Sequence, residues 1–132
     1  MMKKETKKDE DRPKDQARAQ FNSIKEMIEA LKAAGDNDEE ARQTIEEDPL
    51  SIEVRSDWHI PGQSNDPGEY RILLCWGGPA VCIEGDLNDY SEPMTAKLLY
   101  QDWFTAWTEY PLYSDDEQIL IEYALCFYYG EN

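Results

Sequence analysis

The residues that could do chemistry are one histidine, His59, three cysteines, Cys75, Cys82 and Cys126, and 29 Asp and Glu side chains. His59 stands in WHIPG at residues 58–62, the end of a strand-like run, where a general base could be held. A ring packed on the loop or bonded to a backbone carbonyl is the expected state there. A Cys–His nucleophile needs a partly exposed thiol in a positive field. The contexts ILLCW, AVCIE and ALCFY are apolar and the chain around them is acidic, so buried free thiols are expected. Cys75 and Cys82 could face each other across a hairpin, which in a reducing compartment would mean packing. Among so many carboxylates a close pair arises by chance. DNDEE at 36–40 and DLND at 86–89 lack the spacing of a calcium loop. GGP at 77–79 lacks the lysine and following helix of a phosphate loop. Neither catalytic residues nor a metal or cofactor are expected.

What the residues do offer is charge. From residue 36 to 132 there are 22 Asp and Glu against four bases, Arg42, Arg55, Arg71 and Lys97, a net of −18. The whole chain carries −16, well beyond the magnitude of about 2 to 8 that keeps a small domain in solution. Such an excess repels itself and suits a cationic partner. Direct nucleic-acid binding is disfavoured, because it requires Lys and Arg against phosphates. Surface carboxylates could instead imitate duplex phosphates, spaced at roughly one charge per 1.7 Å of axis.

The elements that must position these acids read as an α+β domain. Residues 1–16, rich in Lys, Glu and Asp and containing Pro13, are expected to be a disordered charged tail, with the folded domain spanning 17–132. Phe21, Ile24, Met27, Ile28 and Leu31 give an amphipathic helix ending at Gly35. A short polar helix follows over DEEARQTIEE, with only Ala41 and Ile45 apolar, until Pro49 stops it. An antiparallel sheet of four or five strands then runs through SIEVRSDW, with Ile52, Val54 and Trp58 inward, then EYRILLCW, AVCIEGDL, TAKLLYQDW and FTAWTEY. The middle two have the most continuous apolar runs and should be central. Ser114 and Glu117 form a capping box for a last helix running to Gly130, apolar almost all round and expected to be the most buried.

On this plan Asp36, Asp38, Glu39, Glu40, Glu46, Glu47 and Asp48 form one acidic face, and Asp86, Asp89 and Glu92 a second at a hairpin turn. The alternative binding surface is aromatic, with Trp103, Phe104 and Trp107 as exposed anchors for a protein partner. Without an apolar leader or an 18-residue apolar run, the chain is expected in the cytoplasm, away from membranes. Its oligomeric state is left open.

EDPLSIEVRSDWHIPG, ILLCWGGPAV, YQDWFTAWTEY and CFYYGE, over residues 47–131, resemble a family of small proteins encoded by bacteriophages and prophages. In that family a long helical insertion can precede the segment matching 47–58, where this chain has only a short helix. The resemblance implies a non-enzymatic inhibitor acting in the host cytoplasm. It would block a basic nucleic-acid-binding surface of a CRISPR or restriction complex by mimicking DNA. A phage interaction or assembly adaptor is the alternative.

Overall fold

The computed structural model describes residues 3–63, 66–102, 105–113 and 115–130, with side chains from Arg12 onward. Its elements are α1 (Lys3–Ala34), α2 (Glu39–Glu46), β1 (Ser51–Ser56), β2 (Pro67–Cys75), β3 (Ala80–Asp86), β4 (Lys97–Gln101), β5 (Thr108–Tyr110) and α3 (Asp116–Ala124). The strands form one antiparallel sheet in the order β1-β2-β3-β4-β5, each pairing with its neighbour in sequence. The α+β class is therefore as expected, with the two most apolar strands inside the sheet.

Alternation gives the sheet two unlike faces. Tyr70, Ile72 and Leu74 of β2, Val81 and Ile83 of β3 and Leu98 of β4 are buried on one. α1 lies over that face, chiefly on β3 and β4. Its buried residues Ala17, Phe21, Ile24 and Ile28 recur at steps of four, three and four, one stripe of a helix. Burying each of the larger ones contributes about 1.5 to 3 kcal/mol. α2 and α3 dock on α1, adding Ile45, Leu120, Tyr123 and Ala124. The turn after α1 is made by Gly35 at φ +59°, as its position after the stripe implies.

Four expectations are corrected. α1 does not begin at Ala17: the helix is continuous from Lys3, and Pro13 is buried. Lys and Glu are good helix formers, so the lack of an apolar anchor does not end the helix. α3 is shorter than expected and is not the helix that covers the sheet. It ends at Ala124, where Tyr129 donates its hydroxyl to the Ala124 carbonyl at 2.7 Å, and Leu125 and Tyr128 of the following turn are exposed. The capping box also differs. Asp115 is the N-cap, Glu117 accepts the Ala96 backbone N–H at 3.1 Å, and Ser114 lies outside the described residues. Trp58, finally, is fully exposed beyond the end of β1, and Val54 is 46% exposed.

One close approach sets the register of β2 against β3. Gly85 pairs with Tyr70, whose ring crosses the glycine and donates its hydroxyl to the Thr95 carbonyl at 2.7 Å. A methyl group on Gly85 would overlap the Thr95 carbonyl oxygen and stand 2.8 Å from the Tyr70 ring. Gly85→Ala is expected to lower unfolding free energy by about 1 to 3 kcal/mol, as overpacking against backbone does. Urea denaturation of both proteins measures the difference.

Three buried phenols hold the second layer to this frame. Tyr70 bonds Thr95, Tyr129 packs on Tyr70 with the rings tilted at 54° and their centroids 5.2 Å apart, and Tyr123 donates to Asp48 at 2.6 Å. Burial raises the pKa of all three above the ordinary phenol value of 10.0, and the Asp48 acceptor raises Tyr123 further. Their contribution is fully present below pH 10 and is lost as pH rises above it, because the unfolded chain ionises while the native phenols keep their protons. The unfolding free energy should fall above about pH 10 by about 1.4 kcal/mol per pH unit for each phenol. Denaturant titrations between pH 8 and 11 would show it, and Tyr123→Phe should reduce the slope.

Candidate functional site

The second face of the sheet is not apolar. Across four strands the register aligns Glu53, Arg71, Glu84 and Lys97, a row in which the sign alternates at every step. Arg71 donates to Glu84 at 2.7 Å and lies 4.0 Å from Glu53. Beside it runs a second row, Arg55, Glu69 and Asp86, where Arg55 is paired with Glu69. The rows line a groove of about 750 Å³. Three of the four bases found after residue 36 stand here, each opposite an acid. Opposite charges facing across strands contribute a few tenths of a kcal/mol to about 1 kcal/mol each. The signal was present in the sequence as charges two apart in IEVRS, GEYR and IEGD. Only the register shows that they alternate across strands as well.

Next to the rows Leu73, Cys82 and Leu99 lie side by side. Cys82 is fully buried, and burial pushes its thiol up to about 12, with the Glu84 carboxylate adding to the shift. Cys75 and Cys126 are also raised by burial, and all three are free thiols. Cys75 and Cys82 do not face each other, because a bulge between Leu73 and Cys75 sets Cys75 opposite Val81. None of these thiols has the lowered pKa of a nucleophile. His59 is exposed, with Nδ1 3.2 Å from the Asp57 carbonyl oxygen. Among the described residues no group of three or more His, Cys, Asp or Glu could hold a metal ion.

The first expected acidic set lies on and around α2. Asp36, Glu39, Glu40, Glu46 and Glu47 are exposed. Glu47 accepts a hydrogen bond from Gln43 at 3.0 Å. Asp38 and Asp48 are half-buried and engaged, Asp38 with Arg42 at 2.8 Å and Asp48 with Tyr123. Asp48 is thus a structural acceptor that ties the end of α2 to α3. Ile45 alone is fully buried from this helix, which leaves the rest of its surface to the acids.

The second set falls elsewhere. Asp86 ends β3 and accepts from the Thr95 hydroxyl, while Asp89 and Glu92 lie in the following loop, which Asn88 braces by accepting the Tyr90 and Glu92 backbone N–H groups. Asp48 leads into the end of the sheet where Ser51 pairs with Leu73. Asp86 pairs with Glu69 at the other end, about 13 Å along β2. The two sets are therefore not one continuous surface.

Of the aromatic anchors expected, Trp107 is half-buried, and Trp103 and Phe104 lie outside the described residues. Among the described residues the exposed aromatic rings of Trp and Tyr are others: Trp58, Trp76, Tyr90, Tyr113 and Tyr128. Most follow a strand or sit in a turn, where sequence alternation gives no inward or outward assignment.

Among the described residues no helix is long and apolar enough to cross a membrane. Comparison with family models, curated proteins and solved structures gives no match for this chain.

The buried thiol gives a direct check on the chemistry. At pH 8 a native chain should leave Cys82 unalkylated by iodoacetamide over times that label a free peptide thiol, while denaturant should release it to full labelling. Mass spectrometry of the alkylated peptides reads the site.

Proposed function

We propose that the chain acts without catalysis, by docking the exposed acids of α2 on a basic, nucleic-acid-binding surface of another protein. The observation that carries this reading is the separation of charges. Asp36, Glu39, Glu40, Glu46 and Glu47 are exposed on or beside one short helix, with Arg42 held by Asp38. The other three bases found after residue 36 stand opposite acids on the uncovered sheet face, while Arg18, Lys25 and Lys32 belong to α1. The helix therefore presents carboxylates whose field nearby cations scarcely offset. Such a surface fits a groove lined by Lys and Arg, and occupying it displaces the nucleic acid. The resemblance to phage-encoded proteins supports a host defence nuclease, of CRISPR or restriction type, as the target, met in the host cytoplasm.

A second reading is supported by the exposed rings. Trp58 is fully exposed and Ile60 is 64% exposed in the loop after β1, a suitable anchor for a phage adaptor that binds a protein partner through apolar contact.

Chromatography of a host lysate over the immobilised chain distinguishes the two. With Glu39, Glu40, Glu46 and Glu47 all changed to Gln, a basic partner should elute at lower salt. The slope of log affinity against log salt should flatten by up to about four, near one per lost contact. Unchanged binding of that variant at every salt concentration would exclude the acidic reading. Loss of binding on Trp58→Ala instead would establish the aromatic one.

A further inference from the structure

The two edges of the sheet are unlike. β5 is three residues long, the kind of short edge that offers little to pair with. β1 has six residues, and among the described residues no strand lies on its outer side. Open N–H and C=O groups along a strand are a template for another strand, and charges on such an edge commonly guard against pairing. The charges on β1 go further than a guard requires. Glu53 and Arg55 are opposite in sign, stand two residues apart on the same face and flank Val54, so the edge is complementary to itself.

We infer that the outer edge of β1 pairs with β1 of a second copy of this chain, antiparallel about a two-fold axis through Val54. In that register each Glu53 lies directly opposite Arg55 of the other copy, and the two Val54 residues meet at the axis. The side chains reach solvent at this edge, Glu53 65% exposed, Arg55 76% and Val54 46%, although Arg55 also holds Glu69 and Glu53 stands 4.0 Å from Arg71 within one copy. The pairing also extends the charge pattern of the open face without a break. Lys97, Glu84, Arg71 and Glu53 alternate across one copy, and Arg55 of the second copy supplies the next positive member. Arg55, Glu69 and Asp86 are continued in the same way by Glu53 of the second copy. The two five-stranded sheets become one sheet of ten strands, with helices on one face and charge rows on the other.

The excess of −16 on each copy opposes association. At physiological ionic strength the screening length is about 8 Å, so acids remote from the edge are felt weakly, while charges facing across adjacent strands are in contact range. The pairing uses none of the α2 acids, and its success or failure is independent of the function proposed above.

The test uses charge reversal and mixing. In sedimentation velocity at 0.15 M salt, the parent chain should move with concentration from 15.4 kDa toward twice that mass. Glu53→Arg sets arginine opposite arginine, and Arg55→Glu sets glutamate opposite glutamate, so each variant alone should dimerise at least about tenfold more weakly. An equimolar mixture of the two should recover the dimer as a heterodimer, because every facing pair is then opposite in sign. Mixing does not repair a folding defect, so recovery separates docking from stability. Val54→Lys, which brings like charges together at the axis, should also be monomeric. A parent chain that stays at 15.4 kDa at every concentration, or a mixture no heavier than its components, would overturn the proposal. So would single variants that dimerise as well as the parent.

Discussion

The structure depends on the register of β2 against β3. The inner strands send alternate residues to unlike faces, one apolar under α1 and the other carrying rows of charge beside Leu73, Cys82 and Leu99. A slip of one residue would place Arg71 and Glu69 under the helix and expose Ile72 and Tyr70. No cluster of acids could compensate for that exchange, since several charges would be buried and several large apolar groups exposed. Gly85 prevents it from one side, because only a residue without a side chain lets the Tyr70 ring cross and reach Thr95. The alternating charges prevent it from the other, because only the native register sets Glu84 between Arg71 and Lys97. Packing and electrostatics thus select the same alignment.

That alignment also determines where the charge of the molecule is felt. A domain with 22 acids and four bases after residue 36 could have spread its few cations among the acids and softened the field everywhere. Instead three of the four are gathered on one face and matched there, and of these four only Arg42 stands on α2. The same bases that knit the strands together are thereby withdrawn from the helix layer. Stability of the sheet and the strength of the acidic surface share one cause, the placement of arginine and lysine at alternate positions in strands.

Much of this fold was legible in the sequence, and the illegible parts have physical reasons. The α1 stripe, the stop at Gly35, the Gly-Gly-Pro hairpin and all five strands followed from local periodicity, which depends on residues close in the chain. The role of α3 did not, because an apolar run such as ILIEYALCFYY looks the same whether it covers a sheet or packs one face on another helix. α3 ends where the Phe127 backbone N–H and the Tyr129 hydroxyl both donate to the Ala124 carbonyl, the second a contact that no propensity encodes. The partner of Asp48 was hidden for the same reason: Tyr123 lies 75 residues further along. Of the acidic site, the exposure of Glu39, Glu40, Glu46 and Glu47 was readable from a helix with only Ala41 and Ile45 apolar. The wide spacing between that helix and the Asp86 turn required the strand register. The charge rows were the largest omission, since each half was visible as a strand with charges two apart, and their matching was visible only across strands.

The layering has a kinetic consequence. Every strand pairing in this sheet joins neighbours in the chain, so the hairpins close short loops and can form early. The cover for their apolar face comes from α1, which must also meet α3, as the Lys32–Glu122 ion pair at 3.0 Å shows across most of the sequence. Docking of this kind closes a longer loop than any of the hairpins, and in a chain whose sheet paired first Ile72, Ile83 and Leu98 would face water. A neutral chain in that condition would associate with its copies. Here each half-assembled molecule already carries the acids of its loops and short helix, so copies repel one another while the cover is still to come. The charge that distinguishes the finished surface also protects the chain while it is being made.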